Sequence, residues 1–125
     1  ERCFRGGLKT KAGKNRVVPI HSAILPLVER RIKRDGELLY VSANEYRKNF
    51  KAVLDRFGIL GEPRHTPHDC RHTFSMLCER YGVAENDRKR MLGHSFADVT
   101  NKIYGHRDLD DLREQIEKIK AVTSV

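Results

Sequence analysis

Apolar side chains recur every three or four residues in several segments of this chain, and most of these segments end at a glycine. That spacing places the apolar side chains on one face of a helix, and glycine readily closes a helix C-terminus. The pattern predicts helices over residues 22–33, 42–57, 66–81, 84–92, 98–104 and 108–120. Because no linker-like stretch divides the 125 residues, we expect one domain.

Before the first helix, the sequence predicts a small β-hairpin. Phe4 to Thr10 and Arg16 to Ile20 have the composition of strands, and Gly13 and Asn15 suit the turn between them. A further short strand is predicted at Leu38 to Val41 from its apolar run. The predicted fold class is therefore mainly α with a small N-terminal β-hairpin, an α+β arrangement.

Sequence signals mark the start of two predicted helices. Ser42 and Glu45 have the spacing of a capping box. Thr66 can cap the next helix, with Pro67 at its first position and Asp69 near the positive end of its dipole. The helix after Ser42 is expected to bury one apolar face, made of Tyr46, Phe50, Val53, Leu54 and Phe57.

Composition excludes several classes of protein. Charged residues make up 34% of the chain, its mean hydropathy is -0.64, and no apolar run approaches the roughly 18 residues of a membrane helix. Glu1 to Arg5 do not resemble a secretory signal. Three cysteines without a CxxC pair argue against a disulfide scaffold and favour a reducing compartment. We therefore expect a cytoplasmic protein without membrane contact.

The positive charge is concentrated near the N-terminus. The formal net charge is +8, and residues 1–34, with ten basic and two acidic side chains, account for all of it. A local basic field of this kind is typical of proteins that bind a polyanion, most often nucleic acid. A basic solvated surface, or a contact with an acidic region outside this chain, is the alternative.

The helix predicted over 66–81 carries residues that can bind a phosphate or a metal ion. His68 and Arg71 lie on neighbouring lines of the helix, where both can reach one phosphate. Because about one such spacing is expected by chance here, an ordinary surface pair is the alternative.

His68 and His72 have the spacing of a helical zinc site. Asp69, where a zinc protease has glutamate, and the charge of Arg71 both argue against metal.

Two further residues become reactive only in suitable surroundings. His94 follows a helix that ends at Gly93, and alone it is equally a polar residue at a helix end. Tyr104 alone is equally a core-edge residue, because its hydroxyl is a poor nucleophile until neighbours stabilise or remove its proton. Cations around a phosphate would do this and would stabilise a pentavalent phosphorane. The predicted hairpin adds lysines that are usually solvated but can act as general acids: Lys9, Lys11 and Lys14.

The order of these motifs resembles the catalytic domain of the tyrosine recombinases, which include phage and mobile-element integrases. The chain has Lys11-x-x-Lys14-x-Arg16-x-Val18-Pro19, then Thr66-Pro67-His68-Asp69-Cys70-Arg71-His72-Thr73-Phe74, then Leu92-Gly93-His94-Ser95, then Tyr104-Gly105-His106. Each motif alone is weak, whereas the ordered set with these spacings is specific and covers nearly the whole chain.

The resemblance implies a role for each matched residue. Tyr104 is expected to be the nucleophile that forms a 3′-phosphotyrosyl bond, and Lys11 the general acid for the leaving 5′-oxygen. His68, Arg71 and His94 are expected to hold the scissile phosphate. Since the phosphotyrosyl ester stores the bond energy, the resemblance implies no cofactor, neither ATP nor metal. The residues expected to contact DNA elsewhere are Lys9, Lys14, Arg16 and His72.

The resemblance also implies partners and a larger protein. The partners are double-stranded DNA and other protomers in a tetrameric synapse, docked through the helix Asp108 to Lys120, although its apolar stripe fits packing on its own domain equally well. The family has another active-site arginine upstream of the hairpin, and Arg2 and Arg5 lie too close to Lys11 to supply it. We therefore expect residues 1–125 to be the C-terminal part of a catalytic domain, inactive alone.

The leading hypothesis is a site-specific recombinase that cuts and rejoins DNA strands. The first alternative is a non-enzymatic DNA-binding module that tracks phosphates through its basic hairpin. The second, less favoured, is a zinc hydrolase built on His68 and His72. A covalent protein–DNA adduct separates the leading hypothesis from the first alternative, and stoichiometric zinc in the purified protein would favour the second.

We expect the hairpin to carry much of the DNA affinity. Replacing Lys9, Lys11, Lys14 and Arg16 together by glutamine should weaken DNA binding. With fewer phosphate contacts, binding releases fewer counterions from the DNA. Each lost contact should lower the slope of log K against log salt concentration by about 0.9. Binding titrations over a salt series measure this, and an unchanged slope would place the hairpin away from the DNA.

Overall fold

The computed structural model describes residues 2–7, 16–39, 41–94 and 109–120. These ranges contain strands β1 (Cys3–Gly6) and β2 (Arg16–Pro19) and helices α1 (Leu25–Asp35), α2 (Ala43–Arg56), α3 (Pro67–Arg80), α4 (Glu85–Leu92) and α5 (Leu109–Ile116). The predicted fold class, mainly α with an N-terminal hairpin, is confirmed. Within these ranges, none of the helices combines the length and apolar character that crossing a bilayer requires.

The two strands form an antiparallel hairpin in the predicted place. Cys3 pairs with Pro19 and Gly6 with Arg16, and the Ile20 N–H donates to the carbonyl of Arg2 at 3.0 Å beyond the last pair. Both strands are shorter than predicted within the described residues. The predicted turn, at residues 11–15, lies outside them.

The helix starts follow the capping signals. The Ser42 N–H donates to the Glu45 carboxylate and the Glu45 N–H donates to the Ser42 hydroxyl, each at 3.2 Å, so the predicted capping box is confirmed. At the start of α3, the Thr66 N–H donates to the Asp69 carboxylate at 2.8 Å. That bond is the main reason that the pKa of Asp69 is lowered.

Helix α1 begins at Leu25, three residues after the predicted start at Ser22. The reason is that Ser22 is engaged elsewhere: its N–H and its hydroxyl both donate to the Glu117 carboxylate, each at 2.7 Å. Because the Ser22 hydroxyl is bonded to a distant carboxylate, it does not cap α1. Residues 22–24 form a turn instead.

Two sequence predictions about apolar segments are wrong. Leu38, Leu39 and Val41 form bends and coil rather than a strand. The expected buried face of α2 is mostly solvent-exposed: Leu54 is buried, whereas Val53 is 51% and Phe57 68% exposed. Periodicity shows which side of a helix is apolar but not what covers that side, and among the described residues little does.

The core lies where α3, α4, α5 and β2 meet. Its buried members are Cys78, Val83, Met91, Leu112 and Ile116, with Val18, Phe74 and Ile119 packed against them. Cys78 is fully buried, and burial raises the pKa of its thiol to about 11. A thiol with that pKa stays protonated at neutral pH, so Cys78 acts as a small apolar side chain.

Helix α5 and the turn after it pack on their own chain. Leu112 and Ile116 are buried in the core. Gln115 accepts the Ala84 N–H at 2.9 Å, at the start of α4 where no side chain caps the helix. His21 takes the Ala23 N–H on Nδ1, so its Nε2 donates to the Ile119 carbonyl at 2.8 Å. The sequence left open whether this apolar stripe docks onto another protomer or packs on its own domain. In the structure, the stripe of residues 109–120 packs on its own domain.

We expect the docking of α5 to be essential for stability. Leu112→Ala should lower the free energy of unfolding by about 2–5 kcal/mol, because it leaves a cavity in the core. The matched control is Leu60→Ala, since Leu60 is 75% exposed and its loss should change stability by about 0.5 kcal/mol or less. Urea denaturation measures both, and equal losses would contradict the packing described for α5.

Candidate active site

Arg71 connects α3 to the end of α4. It is half-buried on α3, and its guanidinium donates a hydrogen bond to the carbonyl of Leu92, the last residue of α4 and 21 positions further along the chain. The last carbonyls of a helix lack partners within the helix, so this one is available to a donor from outside. Because a guanidinium has five N–H donors, a single carbonyl leaves Arg71 able to bind a further acceptor.

The turn after α4 places His94 beside this contact. Gly93 has a left-handed backbone, with φ of 75°, and the His94 N–H donates to the Lys89 carbonyl at 2.9 Å. A side chain at position 93 would be strained in that conformation, which explains the glycine. The turn thus presents His94 two residues after the carbonyl that Arg71 binds.

Electrostatics show that Arg71 and His94 are close together. Partial burial lowers the pKa of His94, and the charge of Arg71 lowers it further. Partial burial likewise lowers the pKa of Arg71, followed by the charge of Arg16 on β2. Neighbouring cations destabilise one another unless an anion lies between them. Arg16, Arg71 and His94, from three separate elements, therefore form a group suited to bind a phosphate.

His68 and His72 lie on the exposed side of α3. Their rings meet edge to face with centroids 4.7 Å apart, one turn apart on the helix. Neither this pair nor any other set of His, Cys, Asp and Glu in the described ranges offers the three ligands of a metal site. The zinc alternative thus lacks a third protein ligand among those residues.

Several predicted site residues lie outside the described part of the chain. They are Lys9, Lys11, Lys14 and Tyr104. The structure adds one residue that sequence reasoning missed, Arg88, which donates to the Glu79 carboxylate and, at 3.4 Å, to the Ser75 hydroxyl, both on α3. Its charge also lowers the pKa of His94. The basic run 88–90 just before the Gly93-His94 turn was the available signal.

The fold and the site together define the class: a mainly helical domain that gathers cations from a hairpin and two helices around one point. Residues 3–110 match the model of the Phage integrase family. Since the match spans most of the chain, the protein belongs to this family. The resemblance to tyrosine recombinases is confirmed.

The curated relatives that the chain matches are named as tyrosine recombinases. The chain is 31% identical to a tyrosine recombinase XerA of Pyrococcus horikoshii over 97% of its own length and 44% of the relative's. It is 31% identical to the XerA of Saccharolobus solfataricus, covering 92% and 38% of the two chains. It is 28% identical to a XerC of Caldanaerobacter subterraneus, covering 86% and 34%. The chain thus spans less than half the length of these relatives, and no solved structure matches it significantly.

We expect the pKa of His94 to report the presence of Arg71. Arg71→Gln removes a neighbouring positive charge and should raise that pKa, although burial should keep it below its usual range. Arg71→Lys retains the charge and should raise it less. NMR titration of the His94 ring measures this, with Arg34→Gln on α1 as the control. A pKa of His94 unchanged by Arg71→Gln would contradict the described proximity.

Proposed function

We propose that this chain is the C-terminal part of the catalytic domain of a site-specific tyrosine recombinase, which cuts and rejoins double-stranded DNA through a 3′-phosphotyrosyl intermediate. The observation that supports this most is the bond from Arg71 to the Leu92 carbonyl beside His94. It brings together two family motifs that are distant in the sequence. Membership of the family supports the reaction class.

Arg71 and His94 would hold the two non-bridging oxygens of the scissile phosphate. Because the pKa of His94 is lowered, its ring is neutral near pH 7 and donates one N–H to a phosphate oxygen. Arg71 supplies a permanent charge that stabilises the phosphorane as negative charge grows on its oxygens. His68, one turn before Arg71, would approach the same phosphate from the exposed side of α3.

Tyr104 and Lys11 would perform the exchange of bonds. The Tyr104 hydroxyl gives its proton to water as its oxygen forms a bond to phosphorus, and the bond from phosphorus to the 5′-oxygen breaks. The leaving oxygen takes a proton from Lys11. Attack by the 5′-hydroxyl of a partner strand reverses these steps, so the cycle requires no cofactor. These two assignments rest on the sequence match to the family.

The remaining surface contributes DNA and protomer contacts. Lys9, Lys14, Arg16 and His72 would bind phosphates, and the protein would act on DNA in the cytoplasm. Protomers would assemble in a tetrameric synapse. Because Leu112 and Ile116 in the apolar stripe of α5 are already buried, any protomer contact by the described residues 109–120 would use their exposed face. The relatives are XerA and XerC recombinases, so a phage or mobile-element origin has no support among them.

The decisive test is covalent trapping at Tyr104. A nicked substrate that loses a short oligonucleotide after cleavage prevents religation, so the full-length protein should accumulate a denaturation-resistant DNA adduct on a gel. Tyr104→Phe removes only the hydroxyl and should abolish the adduct while leaving folding and DNA affinity nearly unchanged.

Arg71→Ala should also suppress the adduct, since removing one preorganised donor typically costs about a hundredfold or more in rate. DNA binding with no adduct from the wild type would favour the non-enzymatic module. Undiminished adduct from Tyr104→Phe would show that another residue is the nucleophile.

A further inference from the structure

We propose that Arg16 is a further catalytic residue, whose guanidinium binds the scissile phosphate together with Arg71 instead of an outer phosphate of the DNA. This deepens the role of Arg16 as a DNA contact and rests on the proposed function. It assigns a second arginine at the reacting phosphate from within this chain.

The alternation of β2 directs Arg16 toward the domain. Residues two apart on a strand project from the same face, so Arg16 shares a face with Val18. Val18 packs against the buried core that includes Met91 of α4. Arg16 itself is half-buried rather than solvent-exposed. A residue that only tracked outer phosphates would project from the opposite face of the hairpin, where Val17 stands.

Arg16 and Arg71 line the same cavity. This space, of about 890 Å³, lies between the hairpin and the helices, and Leu92 contributes to its wall. Arg71 enters from α3 and is anchored at the Leu92 carbonyl. Arg16 enters from the first residue of β2. Two arginines from different elements therefore contribute to the wall of one cavity, together with Leu92, which lies two residues before His94.

The charges of the two arginines favour an anion between them. Burial is the main cause of the lowered pKa of Arg71, and the positive charge of Arg16 lowers it further, which is consistent with the cavity that both residues line. A phosphate converts that repulsion into two attractions, and bidentate arginine–phosphate bonds also fix its orientation. Since negative charge increases in the phosphorane, the gain is larger in the transition state than in the bound substrate.

The test separates rate from affinity. Adduct formation by the full-length protein on the nicked substrate is followed in single turnover at saturating protein, so weaker binding does not limit the rate. Arg16→Gln should slow the reaction by about a hundredfold. Arg16→Lys should recover part of the rate, because it retains the charge but not the planar fork. The matched control, Arg34→Gln, alters an exposed arginine on α1 and should leave the rate unchanged.

Thermal unfolding of each variant shows whether the domain remains folded. If Arg16→Gln does not fold, the comparison is made with Arg16→Lys. Wild-type rates at saturation in folded Arg16→Gln or Arg16→Lys, with only weaker binding, would overturn the proposal and leave Arg16 as an outer phosphate contact. If Arg71→Ala loses the adduct while the Arg16 variants keep it, this inference alone fails. If the wild type forms no adduct, the proposed function fails with it.

Discussion

The bond from Arg71 to the Leu92 carbonyl is the interaction on which the candidate site depends. It joins the middle of α3 to the C-terminal end of α4, and the left-handed Gly93 that follows fixes where His94 emerges. The guanidinium satisfies a carbonyl that the helix itself leaves without a partner. One side chain thus has two functions, since it holds the α4 terminus in place and carries the charge that the proposed chemistry requires.

The rest of the described fold keeps α3 and α4 in this relation. Arg88 makes a second connection between the two helices through Glu79 and Ser75. Cys78 of α3 and Met91 of α4 belong to one buried cluster, to which α5 contributes Leu112 and Ile116. Close-packed side chains in a protein core resist small displacements. The spacing between Arg71 and His94 is therefore set by the core as much as by their own contacts.

Local features of the fold could be predicted from the sequence, because their causes are local. The capping box at Ser42 and the glycine stop at Gly93 depend on residues within one helical turn. The start of α1 could not be predicted, since Ser22 is bound by Glu117 from the far end of the chain. The prediction that α2 buries its apolar face was wrong for a related reason. The periodicity is a property of the helix sequence, whereas burial depends on what packs against the helix.

The candidate site was likewise only partly predictable from the sequence. The ordered motifs identified Arg71 and His94 as candidates, and the structure brings them together. The contribution of Arg88 and the nearness of Arg16 to Arg71 arise only from tertiary packing, because their partners lie across a loop or 55 positions away along the chain. Residue type and order therefore selected the candidate residues, and packing determined which of their charges lie close together.

We propose that the cations around Arg71 bind the phosphate that becomes bonded to Tyr104. The most direct measurement is mass spectrometry of the trapped protein after digestion with nuclease and trypsin. Trypsin cuts after Lys102 and Arg107, so the peptide Ile103–Arg107 contains Tyr104 alone among tyrosines. We expect a residual nucleotide on Tyr104 in that peptide. A nucleotide on any other residue, such as Cys70 beside Arg71, would contradict it.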